Sequence, residues 1–466
     1  MFIILFFEIF LNIKIILNNS VVFPFKECFN NYNKLNKKSS YAKILLDNYL
    51  EYKIYSEIKI GTPSKTLPLF INSNIKIFRM KFEEQIPNFD LNKYDKYVPL
   101  ESSSFINITN LSNLEEFYFF GYSLINETIK LCKNKNCNDE IEIKNIQLYS
   151  ETKKDILNDK YSYSIAEIGI PFSKSTDYQS DILNELKNFG IINSTIITFE
   201  YNDNKNGNIY IGEYPHIYDY NNYDKNLLMT AYSIPNYSIN NQIKIRMDKI
   251  YISYENTNSV FYLENNNILF NFGSGIILST EEYYNKILEI YFNKYINLNI
   301  CEIHTEKRGF NNNYQIISCQ KREEFKINEF PTLYLFKEEF KYIFELNYLD
   351  LFEEIGNKYY FLIINFPFSN NNFELGKPFL KKYQMSYNVD MSTIHFYRKL
   401  DKNNKDNFEN TIKDTRKKLI ILFNLIILLC LLIFVFYKKV FHKKRKLRKN
   451  EIKEDNNYEI LIDDNN

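Results

Sequence analysis

The chain has 466 residues, 45% of them hydrophobic, which is enough for one large domain or two closely packed ones. Its formal net charge is only +1, so bulk electrostatics gives no ground for nucleic-acid binding. It holds 39 Tyr, 40 Phe and no Trp, and Asn recurs in strings such as Asn265-Asn266-Asn267 and Asn370-Asn371-Asn372, which belong in loops.

Residues 1–23 are apolar and read as a signal peptide, although Glu8 and Lys14 interrupt them and no basic n-region precedes them. Residues 24–49 read as a short linker or remnant propeptide. Residues 52–60 alternate loosely, with Ile54, Ile58 and Ile60 on one face, and Gly61-Thr62-Pro63-Ser64 forms a turn into a second apolar run, Leu67 to Ile71. Residues 117–131 predict a strand pair around a bend. Asn206-Gly207 predicts a hairpin turn, and residues 243–262 alternate again. Helical patterns are short, at 178–189 and 281–295. Many strands with few helices make the ectodomain an all-β fold. A coarse repeat supports two lobes, here 50–235 and 236–397. An apolar run leads into Asn72-Ser73-Asn74, and about 200 residues later another leads into Asn271-Phe272-Gly273-Ser274.

After a juxtamembrane linker, 398–418, residues 419–437 read LIILFNLIILLCLLIFVFY. At about 1.5 Å per residue this stretch matches the bilayer core. Lys438, Lys439 and the basic cluster from His442 follow it, which predicts a cytoplasmic tail at 438–466 and a lumenal or extracellular ectodomain. The expected topology is a single-pass type I protein of the secretory pathway or cell surface. Asn-x-Ser/Thr sites at Asn107, Asn110, Asn126, Asn193 and Asn236 are compatible with that location.

Of six cysteines, Cys430 lies in the apolar segment. Cys132 with Cys137 and Cys301 with Cys319 are close enough in sequence for local disulfides in an oxidising compartment. Zinc is the alternative, but neither pair has CxxC spacing. No metal or cofactor site is expected.

Residues 50–397 resemble the pepsin-like aspartic proteases, motif by motif and in order. Tyr55 to Pro63 is similar to the opening YxGxIxIGTP, and 162–172, SYSIAEIGIPF, to the segment written GILGLGF. Residues 181–192 resemble the helix that follows it. Residues 198–214 resemble the next strand pair, and 268–287 the second-lobe AIVDTGTS run. Phe330-Pro331-Thr332-Leu333 resembles FPxLxF, and 373–383 resembles WILGDxFLRxYY with Lys377 at the Asp position. The resemblance implies a bilobal fold, a Cys301–Cys319 disulfide and a peptide-binding cleft between lobes. A C-terminal anchor occurs in some members. The compositional bias is similar to that of AT-rich protozoan genomes of the malaria-parasite type.

The two catalytic Asp-Thr/Ser-Gly triplets fall on Asn72-Ser73-Asn74 and Asn271-Phe272-Gly273. The family's chemistry needs two carboxylates sharing a proton, and an amide can orient water but not deprotonate it. Phe272 is expected to crowd the centre of the cleft, and Gly275 replaces the usual Ser/Thr. The flap is poorly matched, with Leu114 near its Tyr and Glu115 and Glu116 near its glycines. His216, His304, His395 and His442 are scattered, and Ser274 lacks the spacing of a nucleophile elbow. The leading expectation is a catalytically inactive membrane protein that binds a peptide or protein partner in the interlobe cleft. The alternative is a membrane-anchored aspartic-type endopeptidase with an unusual active site, for which Glu115 and Glu116 would be the nearest carboxylates.

Overall fold

The computed structural model describes residues 20–28, 46, 53–72, 78–83, 89–107, 122–151, 163–169, 182–203, 205–219, 222–234, 243–253, 261–308, 312–365 and 372–397. The expected span 419–437, most of the expected signal peptide and the flap region 108–121 lie outside them. No helix among the described residues is long and apolar enough to cross a membrane.

Three sheets organise the fold. The largest has thirteen strands and begins its chain order with β1 (Val21–Cys28), β2 (Lys53–Ile60), β3 (Lys65–Asn72) and β4 (Phe78–Glu83). β2 forms because its alternation matches the pleat: Ile54, Ile58 and Ile60 are buried, while Glu57 faces solvent. Gly61 then turns the chain at φ +84°. A Cβ there would stand 2.7 Å from the Tyr97 ring. Beside β1 the sheet continues through Asn206–Ile211, Ile196–Tyr201, Met385–Asn388, Thr393–Tyr397 and Leu228–Tyr232. This run joins strands from both sequence-expected lobes.

The second sheet has seven strands, in the order Tyr342–Leu346, Thr332–Lys337, Ile243–Ser253, Phe261–Phe270, Asn372–Leu375, Ile277–Ser279 and Ile363–Asn365. The third has four and carries the Cys301–Cys319 disulfide across directly paired strands. Cys132 and Cys137 are also joined.

Three features depart from the sequence reading. β1 starts inside the expected signal peptide and runs into the first residues of the expected linker. Val21, Val22 and Phe23 are buried, opposite Ile211, Tyr210 and Ile209. Leu46, also from the expected linker, is buried against a second-lobe cluster that includes Ile276, Leu278 and Ile364. The hairpin at 206–207 exists, but its turn lies earlier. The Asp203 carboxylate accepts the backbone N–H groups of Lys205 and Asn206, and Gly207 is already paired with Tyr201 in the ladder. A Cβ on Gly207 would meet the Glu200 carbonyl at 2.3 Å, so glycine serves close packing there.

Candidate functional site

Each lobe contains a short parallel pair within largely antiparallel surroundings. In the first, β3 runs parallel to Tyr163–Gly169, with Phe70 level with Glu167 and Asn72 level with Gly169. In the second, Phe261–Phe270 runs parallel to Asn372–Leu375, with Leu269 level with Glu374 and Phe270 with Leu375. Asn271 follows at once and donates its backbone N–H to the Leu375 carbonyl at 3.0 Å. Asn72 and Asn271 therefore end equivalent strands, each beside a glycine. The side chain of Asn72, and Ser73 and Asn74, lie outside the described residues.

The Asn271 loop is tightly built. Gly376 lets two backbones touch: a Cβ there would stand 2.3 Å from the Ile276 carbonyl and 2.4 Å from that of Ser274. Lys377 donates its backbone N–H to the Ser274 carbonyl at 2.9 Å. The buried Ser274 hydroxyl donates to the Ile276 carbonyl, so it is bound into the loop as a structural group.

The hydrogen bonds orient the Asn271 amide. Its Oδ1 accepts the Gly273 N–H at 2.8 Å, and its Nδ2 donates to Glu374 Oε1 at 2.5 Å. An amide so held has no proton to take up or release near neutrality. Glu374 is half-buried, and desolvation pushes its carboxyl up from the ordinary range, while the Asn271 donor partly opposes that shift. Its counterpart Glu167 is buried and held by Arg79 at 2.7 Å and Lys81 at 2.8 Å.

Phe272 does not crowd the cleft. It is buried and lies flat on Phe199 of the shared sheet, with centroids 3.7 Å apart and planes at 18°. With no hydroxyl to satisfy, the ring turns to the core, where its area leaves water. Lys377 pairs with Glu27 of β1 at 2.7 Å, and the Glu27 side chain has no exposed surface.

The remaining sequence candidates are dispersed or fall outside the described residues. Leu114, Glu115 and Glu116 are outside them. His395 lies in the shared sheet among the hydroxyls of Tyr214, Thr230 and Thr393, and burial lowers its pKa to about 4. His304 bonds Ser318 on the four-stranded sheet. Asp390 accepts the Thr195 N–H and pairs with Lys187, a structural duty. Asn126 lies within a strand with its Oδ1 buried, whereas Asn193 is exposed. No group of three or more metal-ligating side chains occurs among the described residues. Sequence reasoning missed Glu167 and Glu374. The signal was a carboxylate in two apolar strand motifs, at the aliphatic position of GILG and of WILG.

Two β lobes joined by a shared sheet, each with a parallel pair ending in the motif loop, define a pepsin-like architecture. The model for eukaryotic aspartyl proteases matches residues 52–398, and the chain belongs to that family. No curated protein matches the sequence. Among solved structures it is similar to the basic 7S globulin from soybean, at TM-score 0.53 and 11% identity, covering 81% of this chain and 95% of that one. At that identity the likeness concerns the fold.

Proposed function

We propose that this chain is a non-catalytic member of its family that binds an extended peptide or protein segment between its lobes. The observation that carries the reading is the Asn271 amide, with Oδ1 bonded to Gly273 and Nδ2 bonded to Glu374. Aspartyl peptide hydrolysis requires a pair of carboxylates that share a proton and exchange acid and base roles. Asn72 and Asn271 stand at both positions, and losing even one member of a coupled catalytic pair removes most of its activity. Peptide binding requires only shape and backbone hydrogen bonds, which a two-lobed β fold can supply. The apolar stretch 419–437 and its basic flank support display on a secretory or surface membrane.

The test is retention. The full chain, purified in detergent micelles and immobilised, is incubated with a randomised decapeptide library at pH 7. Recovery of intact peptides with a common pattern supports the reading. Recovery of none, by protein that unfolds cooperatively on heating, contradicts it.

A further inference from the structure

The two lobes supply an internal comparison. Glu167 and Glu374 occupy the same place in their parallel pairs, level with Phe70 and Leu269 respectively. Each also has an antiparallel neighbour on its other side. For Glu167 that neighbour is Arg79. For Glu374 it is Leu278. Arg79 and Leu278 follow Asn72 and Asn271 at the same distance along the chain, so they are equivalent positions. Residues directly opposed across an antiparallel pair project from the same face. The first lobe therefore sets a guanidinium against its glutamate, and Lys81 adds a second cation at 2.8 Å. The second lobe sets an isobutyl group there.

Glu374 is left with one hydrogen bond, from the Asn271 amide, and no cation pairs with it among the described residues. Its surroundings do not replace the missing charge. Leu278 belongs to an apolar cluster that Leu46 covers, and Leu269 is half-buried beside it. A carboxylate in such ground is strongly desolvated and gains most from an incoming cation. Neutral donors such as a hydroxyl or a backbone N–H would satisfy it less well, because they bring no charge to offset that of the carboxylate.

We propose that Glu374, oriented by Asn271, is the anchoring carboxylate for a cationic group of the bound peptide, a lysine or arginine side chain set beside the Asn271 loop. This rests on the peptide-binding reading and adds the chemistry that selects the ligand. The ligand supplies to the second lobe the charge that Arg79 and Lys81 supply to the first. Leu278 walls the aliphatic stem, as apolar surfaces do for long basic side chains.

The experiment uses the full chain in detergent micelles and a randomised decapeptide library containing lysine, arginine, norleucine and glutamate at every position. Retained peptides are sequenced by mass spectrometry at pH 7 for the wild type and for Glu374→Gln. Gln keeps the size of the side chain and an oxygen that can accept from Asn271. The expected result is at least tenfold enrichment of lysine or arginine over norleucine at one position, erased in Glu374→Gln while preferences at other positions persist. Those persisting preferences also show that the variant is folded. If the wild type retains peptides but enriches no basic position, or if Glu374→Gln keeps the enrichment, the inference is overturned and peptide binding stands. If the wild type retains nothing, both fall.

Discussion

Phe272 lies flat on Phe199, 3.7 Å between centroids, with one ring from the Asn271 loop and the other from the sheet that joins the lobes. The triplet position that carries a small hydroxyl residue in the resembled motif has here become an apolar tie. Truncating either ring opens a cavity beneath the site. Phe272→Ala is expected to cost about 3–5 kcal/mol of stability, the usual range for a buried Phe. A double-mutant cycle with Phe199→Ala, followed by urea denaturation, should show coupling of about 1 kcal/mol for the stacked pair. Additive losses would mean that the rings do not support one another.

His395 makes acid stability a test of the shared sheet. Both ring nitrogens sit among hydroxyls, and burial lowers its pKa to about 4, with the nearby His216 adding to the shift. An unfolded histidine titrates near 6.5. The stability from keeping it neutral is fully present above the unfolded value. It declines as pH falls from about 6.5 toward 4, where the unfolded chain holds the extra proton. The full loss is roughly 3 kcal/mol. Replacing His395 with Gln should flatten this window in denaturation midpoints taken at pH 7, 5.5 and 4.5.

Glu374 predicts the opposite slope. Its folded carboxyl is raised by desolvation, so its favourable contribution is present below the unfolded value and is lost as pH rises through the folded one. The carboxyl therefore becomes a growing liability as pH climbs above the unfolded carboxylate range. Glu374→Gln is expected to melt higher than the wild type at pH 7 and to converge with it in the acid range. A variant that melts lower at pH 7 would show the Glu374 carboxyl to be stabilising.

Lys377 and Glu27 join the N-terminal strand to the helix Lys377–Lys382, with the Glu27 side chain fully buried. Lys377→Met strips the cation from that carboxylate and should cost about 3–5 kcal/mol. Adding Glu27→Gln should restore most of the loss, because removing both partners is far less harmful than removing one. Thermal melts of the single and double variants decide it.

Much of the fold was legible where residue period matched the pleat. β2, the Gly61 turn and β3 show in the alternation of Ile54, Ile58 and Ile60. β1 did not, because VVFPFKEC lacks alternation, contains Pro24 and follows an apolar stretch. Its place depends on Asn206–Ile211, far away in sequence. The equivalent ends of the two parallel pairs were legible as Asn72 and Asn271. The direction of the Phe272 ring was not, since Phe199 meets it only in three dimensions. Nor was the contrast between Glu167 and Glu374, which depends on what stands across an antiparallel register.

On the proposed function, the Asn271 loop supports binding without turnover. The most direct measurement is cleavage of a peptide library by the full wild-type chain from pH 3 to 8, read by mass spectrometry. The same assay is run on the triple variant Asn72→Asp, Asn271→Asp, Glu374→Ile, which restores the family's residues at all three positions. No wild-type cleavage is expected at any pH. Sequence-specific wild-type cleavage that disappears when Asn72 and Asn271 become Ala would contradict it, whatever the triple variant does.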